Sequence, residues 1–222
     1  MYDLFSEVDD PNRRDKQIKS GAWFFPKALS DAQIADCLSL IDELVSVSPF
    51  RKMQTPMGLM SVALTSCGKV GWYSDQHGYR YEACDPLTEK VWPELPIFFS
   101  QLAKDLALKA GYQNFEPDTC LINEYVVGSS MGLHQDKNER DFSQPVISIS
   151  LGLPATFLFG GATREADIEK IRLEHGDVLV WGKESRLDFH GVEQVLPGFH
   201  DQVGARRINI TFRRALKPSE IV

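Results

Sequence analysis

The chain has 222 residues, of which 43% are hydrophobic and 25% charged, proportions typical of a globular protein with one sizeable core. Its formal charge of −7 argues against a strongly basic nucleic-acid binder, although a local basic groove is compatible with it. The N-terminus lacks the apolar core of a signal peptide and no stretch approaches about 18 uninterrupted apolar residues, so we expect a cytoplasmic protein without a membrane partner.

The first part of the chain gives weak signals. Residues 1–20 are polar and charged, and we expect a loosely held arm with a solvated face.

The cysteines, at positions 37, 67, 84 and 120, are scattered and form no Cys-x-x-Cys pair. This spacing indicates reduced thiols and supports neither a zinc ribbon nor a disulfide scaffold.

Two amphipathic helices are predicted in the first half. Ser30 followed by Gln33 is a capping-box pattern, and apolar residues then recur at helical spacing, which predicts a helix over about 31–47. A second helix is predicted over about 96–110, with Gly111 placed to end it. Both are expected to pack on a sheet as supports.

Residues 50–90 have a different character, rich in methionine and glycine. Their aromatic residues cluster at Trp72, Tyr73, Tyr79 and Tyr81. Methionines adapt to irregular surfaces and exposed aromatic rings serve as stacking platforms, so these residues are candidates for a binding surface. The alternative is a short hairpin whose aromatic rings fill core.

From residue 119 onward the pattern is one of short strands separated by glycine, proline and aspartate. The predicted strands are 120–127, 146–153, 156–159, 171–174, 178–181, 191–196 and 207–213. Such punctuation indicates a sandwich or jelly roll. The predicted fold class is α+β, mainly β, with N-terminal helices behind a jelly-roll core over 119–214, all within a single domain over 21–215.

The run His134-Gln135-Asp136 follows a predicted strand that Gly128 interrupts. Residues two apart in an extended run point to the same side, so this imidazole and carboxylate can converge as metal ligands. His190 lies far enough along the chain for several jelly-roll strands to return to the same edge, and we predict that it is the third ligand. Two histidines and one carboxylate are the arrangement of non-haem Fe(II) oxygenases.

A second His-x-Asp pattern, His175-Gly176-Asp177, competes with the first. It joins two apolar strands, and Gly-Asp is common turn chemistry. The histidines that follow it, His190 and His200, are too near along the chain for strands to cross the sandwich repeatedly. We therefore expect a turn at this position and a metal site at the other.

The last predicted strand alternates polar and apolar residues. Its polar side chains, on one face of the strand, are Arg207, Asn209, Thr211 and Arg213. Two inward guanidinium groups are costly without anions, so this face is predicted to receive a dicarboxylate through forked, charge-assisted hydrogen bonds. The alternative is an edge strand with its arginines in water.

With these motifs, the chain resembles the AlkB-type Fe(II)- and 2-oxoglutarate-dependent dioxygenases, which remove alkyl groups from nucleic-acid bases, and most of all the bacterial members. The likeness covers about residues 18–214. It is carried by the runs SPFRKM, GW at 71–72, LINEY at 121–125, LHQDK, SLGLPATFLFGG, LEHGDVLVWG and RINITFR. The resemblance implies a double-stranded β-helix, the jelly-roll form of this family, with a nucleotide-recognition lid over about 50–90.

The resemblance also implies roles for individual residues. It implies that iron is held by His134, Asp136 and His190. It implies that 2-oxoglutarate is held by Asn123, Tyr125, Arg207, Asn209 and Arg213. The pocket for the damaged base would be lined by Trp72, Tyr79, Tyr81, Asn138 and Arg164. Asn138 stands where close members of the family have an aspartate, which leaves the base preference open.

The implied activity is oxidative demethylation of bases such as 1-methyladenine and 3-methylcytosine in DNA, with Fe(II), 2-oxoglutarate and O2, and with release of formaldehyde. A methyl group on a base nitrogen is out of reach inside a duplex, so a single strand or a flipped base is the expected substrate. Double-stranded DNA and RNA are further candidates, and a monomer is expected. Two alternatives stay open: the same chemistry on RNA or a protein side chain, and a non-catalytic jelly-roll binding module.

Overall fold

A computed structural model describes residues 13–56 and 58–217 of the chain. The helices are α1 (Asp31–Val47) and α2 (Ile97–Lys109), with a short 3-10 helix at Lys183–Ser185. The strands are β1 (Lys16–Lys19), β2 (Ala22–Phe25), β3 (Arg51–Thr55), β4 (Gly58–Gly68), β5 (Gly71–Asp75), β6 (Gly78–Glu82), β7 (Thr119–Val126), β8 (Met131–His134), β9 (Val146–Gly152), β10 (Ala155–Phe159), β11 (Glu169–Leu173), β12 (Val178–Trp181), β13 (His190–Val192) and β14 (Arg206–Arg213).

Both predicted helices are confirmed, and their termini follow the expected chemistry. The Ser30 side chain accepts a hydrogen bond from the backbone of Gln33, whose side chain accepts one from the Ser30 backbone at 2.9 Å, so a capping box begins α1. Gly111, with φ of +81°, follows the end of α2, where a left-handed residue stops a helix without the penalty of a Cβ. Neither helix is long and apolar enough to cross a membrane.

The larger sheet has eight strands in the order β1-β2-β12-β9-β14-β7-β4-β3. Strand β14 lies in its interior, antiparallel to β9 on one side and to β7 on the other. Its apolar residues Ile208, Ile210 and Phe212 join the core beneath the helices, with Phe212 edge-on to Phe99 of α2 at 5.6 Å between ring centroids. Its alternate residues therefore point to the opposite face.

That opposite face is covered by a four-stranded sheet in the order β11-β10-β13-β8. A second apolar cluster fills part of the space between the two sheets, and it includes Tyr125, Phe157 and Trp181. Two sheets face to face, backed by helices, form the predicted jelly roll. The predicted fold class is thereby confirmed.

The structure differs from the sequence prediction in the first half of the chain. Residues 16–19 of the predicted loose arm form an edge strand, and Arg13 makes an ion pair with the buried Asp177; residues 1–12 lie outside the described residues. Within the predicted lid, β3 and β4 belong to the larger sheet, and only β5 and β6 form a separate hairpin. These strands were missed because much of β1, β3 and β4 is exposed or half-buried, which weakens their apolar alternation.

Candidate functional site

A cavity of about 800 Å³ lies between the two sheets. Its lining includes side chains from the smaller sheet, from the polar face of β14 and from the β5–β6 hairpin. The strand architecture therefore brings residues from distant parts of the sequence to one space.

The predicted metal-binding residues meet in this cavity. His134 ends β8 and His190 begins β13, and the two residues are direct partners across this strand pair. Asp136 follows β8 by two residues. The candidate ligand atoms of all three side chains lie within 4.8 Å of one another, close enough to share one ion. Among the described residues, no other cluster of this kind is found.

Backbone carbonyl groups fix the orientation of both imidazole rings. Nδ1 of His134 lies 2.9 Å from the carbonyl oxygen of Gly132, and Nδ1 of His190 lies 3.0 Å from that of Asp188. A carbonyl group only accepts, so Nδ1 carries the proton and Nε2 offers a lone pair to a metal. Burial, and then the neighbouring His134, lowers the pKa of His190 to about 4, which keeps this ring in the neutral form that binds metals.

Asp136 is oriented by two arginines. Arg213 donates to its Oδ2 from Nε at 2.8 Å, and Arg186 donates to its backbone carbonyl at 2.8 Å. Burial alone would raise the pKa of this carboxyl, but Arg213, followed by His190 and His134, holds it below its ordinary value. The side chain is therefore an anion, as a metal ligand must be.

The polar face of β14 provides unused hydrogen-bond donors. Arg207 is 1% exposed, and its Nη2 donates to Ser150 Oγ at 3.0 Å while its Nε and Nη1 have no partner. Nη1 of Arg213 is also buried without a partner. Buried guanidinium donors without acceptors are costly, so this cavity fits a ligand with carboxylate groups, such as 2-oxoglutarate.

The remaining residues predicted for the co-substrate complete this face. Asn209 donates to Ser148 Oγ at 2.8 Å, and Asn123 lies 3.4 Å from the side-chain oxygen of Asn209. The ring of Tyr125 lies under the Arg207 guanidinium, 4.9 Å from it. All of them line the cavity. The prediction that these side chains share one enclosed face agrees with the geometry, and the alternative of an exposed edge strand does not.

Four of the five residues predicted for the base pocket line the same cavity: Trp72, Tyr79, Asn138 and Arg164. Trp72 and Tyr79 stack with 5.5 Å between ring centroids. Asn138 donates to the backbone oxygen of Tyr79 at 3.3 Å.

Tyr81 does not line the cavity, contrary to the prediction. Its hydroxyl group donates to Oε1 of Glu139 at 2.7 Å. Tyr81 is the cross-strand partner of Trp72 and shares its face of the hairpin, but its hydroxyl group is engaged by this buried carboxylate.

Comparisons with known proteins agree with this site. The family model of the 2OG-Fe(II) oxygenase superfamily matches residues 21–213. Alpha-ketoglutarate-dependent dioxygenase AlkB of Escherichia coli is 50% identical over 218 residues, which cover 98% of this chain and 99% of that protein. The chain belongs to the AlkB family. It is therefore an Fe(II)- and 2-oxoglutarate-dependent dioxygenase, with O2 as the second co-substrate.

Other members of the AlkB family are similar over shorter or more divergent stretches. The AlkB protein of Salmonella typhimurium is 52% identical over 181 residues, which cover 80% of this chain and 84% of that protein. The human nucleic acid dioxygenase ALKBH1 is 30% identical over 58% of this chain and 33% of its own length. The solved structure of OsALKBH1 has a TM-score of 0.78 at 28% identity, covering 90% of this chain and 99% of that one.

The competing His-x-Asp pattern forms a turn, as predicted. Gly176 has φ of +83°, and the Asp177 side chain accepts from the backbone of Lys27 at 2.9 Å and of Glu174 at 2.7 Å. His175 stacks on His200 with 4.0 Å between ring centroids. The carboxylate of Asp177 thus serves the backbone and is not free to bind a metal.

Two charged residues that this AlkB-family site buries were not predicted from the sequence. Glu139 and Arg186 have side chains only 2% exposed and lie 3.3 Å apart. Glu139 lies shortly after Asp136 in the sequence, and Arg186 lies shortly before His190. These two charges close to the predicted metal ligands were the available signal. Charged residues in loops are usually solvated, so the sequence alone favours the wrong environment.

Proposed function

We propose that this dioxygenase oxidatively demethylates alkylated bases in DNA, such as 1-methyladenine and 3-methylcytosine, preferring single strands and releasing formaldehyde. The observation that carries the proposal is that the stacked aromatic pair Trp72 and Tyr79 lines the same cavity as the metal-binding triad. Among the relatives, the name nucleic acid dioxygenase supports nucleic acid as the substrate class.

His134, Asp136 and His190 are the proposed iron ligands. Arg207 and Arg213 are proposed to hold the carboxylate groups of 2-oxoglutarate, with Asn123, Tyr125 and Asn209 beside them. When bound, iron would activate O2, and 2-oxoglutarate would take one of its oxygen atoms on conversion to succinate and CO2; the other oxygen atom would hydroxylate the methyl carbon, and the hydroxymethyl group would then leave as formaldehyde. The contribution of the chain is to orient these groups in an enclosed space.

The hairpin residues are proposed to hold the damaged base. A flat ring placed beside Trp72 and Tyr79 gains stacking energy of about 1–3 kcal/mol per base, whatever the sequence around it. Asn138 and Arg164 are then proposed to contact the edge of the base. Such a base must leave the helical stack, which favours single strands and damaged, weakly paired positions.

We also propose that residues 21–215 act as one oxygenase domain, and that the protein is a monomer. A cytoplasmic location is proposed because its four cysteines carry no disulfide bond, which fits a reducing compartment. Double-stranded DNA and RNA are proposed as weaker substrates, because an aromatic platform accepts any exposed base.

Formaldehyde release from a single-stranded oligonucleotide carrying 1-methyladenine tests the proposal. Release that requires both Fe(II) and 2-oxoglutarate, and that falls in Trp72→Ala, is the expected result. A matched RNA oligonucleotide in competition measures the preference for DNA. If succinate forms without formaldehyde on either nucleic acid, the substrate assignment is wrong although the enzyme class stands.

A further inference from the structure

The side chain of Tyr81 is hydrogen-bonded to a buried carboxylate, and Tyr81 is not among the residues that line the cavity. Its hydroxyl group donates to Oε1 of Glu139 at 2.7 Å. Asn138, which precedes Glu139, donates to the backbone oxygen of Tyr79 at 3.3 Å. Strand β6 of the hairpin is therefore held by two consecutive residues that follow closely on Asp136.

Glu139 belongs to a compact group of four buried charges. Its carboxylate lies 3.4 Å from Nε of Arg213 and 3.3 Å from Nη2 of Arg186. Both arginines also hold Asp136, Arg213 through the side chain at 2.7 Å and Arg186 through the backbone carbonyl at 2.8 Å. The two arginines thus hold both acidic residues, and the formal charges of the four side chains cancel.

The position of Arg213 depends on how strongly each of the two carboxylates attracts it. Arg213 makes its short contacts with Asp136 and a longer one with Glu139. Tyr81 supplies Glu139 with a donor, so the carboxylate does not depend on Arg213 alone. A buried carboxylate that loses a donor is poorly satisfied, and it gains by drawing the nearest cation closer.

We propose that Tyr81 is a positioning residue, which acts through Glu139 to keep Arg213 on Asp136. This inference rests on the proposed role of Arg213 in binding 2-oxoglutarate. Without the Tyr81 hydroxyl group, Glu139 draws Arg213 away from the cavity, and its unpartnered Nη1 no longer faces the co-substrate. The base of the nucleotide-binding hairpin thereby contributes to co-substrate affinity without touching it.

The test uses full-length protein loaded with Mn(II), which removes turnover from the measurement. Calorimetric titration with 2-oxoglutarate compares the wild type with Tyr81→Phe. We expect the dissociation constant to rise about fivefold in the variant, the equivalent of one hydrogen bond. A dissociation constant within the error of the wild-type value would overturn the proposal.

Tyr112→Phe is the matched control. The hydroxyl group of Tyr112 donates to the backbone oxygen of Gly21 at 2.5 Å, outside the cavity lining. This variant loses a bond of the same kind, so it should lower the melting temperature and leave the affinity for 2-oxoglutarate as it is. An equal loss of affinity in both variants would mean that Tyr81 matters only for general stability.

Two further variants test the route through Glu139. In a Glu139→Gln background, Tyr81→Phe should have no further effect on the affinity for 2-oxoglutarate, because the charge that attracts Arg213 is gone. If Tyr81→Phe does not fold, Glu139→Asp withdraws the carboxylate from Tyr81 while keeping its charge, and the same weakening is expected. Additive effects in the double variant, or full affinity in Glu139→Asp, would overturn the proposal.

These titrations contain no nucleic acid. If the proposed substrate is wrong, the titrations can therefore still be interpreted. If Tyr81 does not affect 2-oxoglutarate binding, the proposal of demethylation is not affected. If Arg213→Lys leaves the affinity for 2-oxoglutarate unchanged, the assumed role of Arg213 is wrong, and the inference fails with it.

Discussion

Arg213 directs two donors, Nε at 2.8 Å and Nη2 at 2.7 Å, to one oxygen of Asp136, Oδ2. The other oxygen, Oδ1, lies 3.8 Å from Nε2 of His134 and 3.8 Å from Nε2 of His190. One oxygen of the carboxylate is thus bound by the protein and the other faces the metal site, so Arg213 sets the orientation of this ligand.

This division predicts that alanine substitutions of the three ligands lower the stability of the metal-free protein to different extents. His134→Ala, His190→Ala and Asp136→Ala should all lose metal binding in calorimetric titration. Asp136→Ala should also lower the free energy of unfolding of the metal-free protein by about 3 kcal/mol, because Arg213 stays buried without its closest partner. His134→Ala should cost much less, because its side chain is 37% exposed.

His175→Ala is the control for this series, since it removes a histidine of the competing pattern and should leave metal binding intact. Urea unfolding gives the stabilities. Equal stability of Asp136→Ala and His134→Ala would contradict the interpretation of the Asp136–Arg213 pair.

The second prediction concerns the unused donors of Arg207. Arg207→Lys should raise the KM for 2-oxoglutarate, with a loss of about 1–3 kcal/mol in binding free energy, because a point charge does not replace a forked donor. Arg206→Lys is the matched control: Arg206 precedes it on the same strand, points to the other face and pairs with Glu124 at 2.6 Å. Steady-state kinetics at varied 2-oxoglutarate decides, and an unchanged KM for Arg207→Lys would place the carboxylate elsewhere.

The sequence predicted the features that depend on local pattern. The capping box at Ser30, the alternation along 207–213 and the His-x-Asp run at 134–136 each carry their own periodicity or chemistry, and the structure agrees with them. Resemblance to a family was needed to place Asn138 and Arg164 in the same site. The environments of Glu139 and Tyr81 were not predictable, because they depend on contacts between a loop and a hairpin that are distant in sequence.

The third prediction concerns the edge of the base. Asn138→Asp should raise kcat/KM for cationic lesions such as 1-methyladenine relative to neutral 1-methylguanine by about 1 kcal/mol, or roughly fivefold, because a charged acceptor binds a cationic donor more strongly. Glu139 does not supply this charge already, since its buried carboxylate is paired with Arg186 and Arg213.

The variant also loses the amide donor to Tyr79, so both absolute rates are expected to fall. The informative quantity is the ratio between the two lesions on the same single-stranded backbone, which cancels phosphate contacts. A ratio equal to that of the wild type would remove Asn138 from base recognition.

The fourth prediction concerns binding to the nucleic-acid backbone. With a net charge of −7, the protein is expected to contact few phosphates, and the plot of log affinity against log salt should have a slope of about −1 to −4. Fluorescence anisotropy with a methylated single strand over a range of salt concentrations measures it. A slope of about −10 would indicate an extensive basic surface.

The two sheets supply different halves of the site: the histidines come from β8 and β13, and the arginines come from β14. Iron and 2-oxoglutarate would therefore act as a removable cross-link between the layers of the sandwich, much as a disulfide bond joins distant parts of a chain. Ligand present at 100 times its dissociation constant adds about 2.7 kcal/mol to the free energy of unfolding. Persistence of the protein against proteolysis would then follow the supply of iron and 2-oxoglutarate, as well as its catalytic rate.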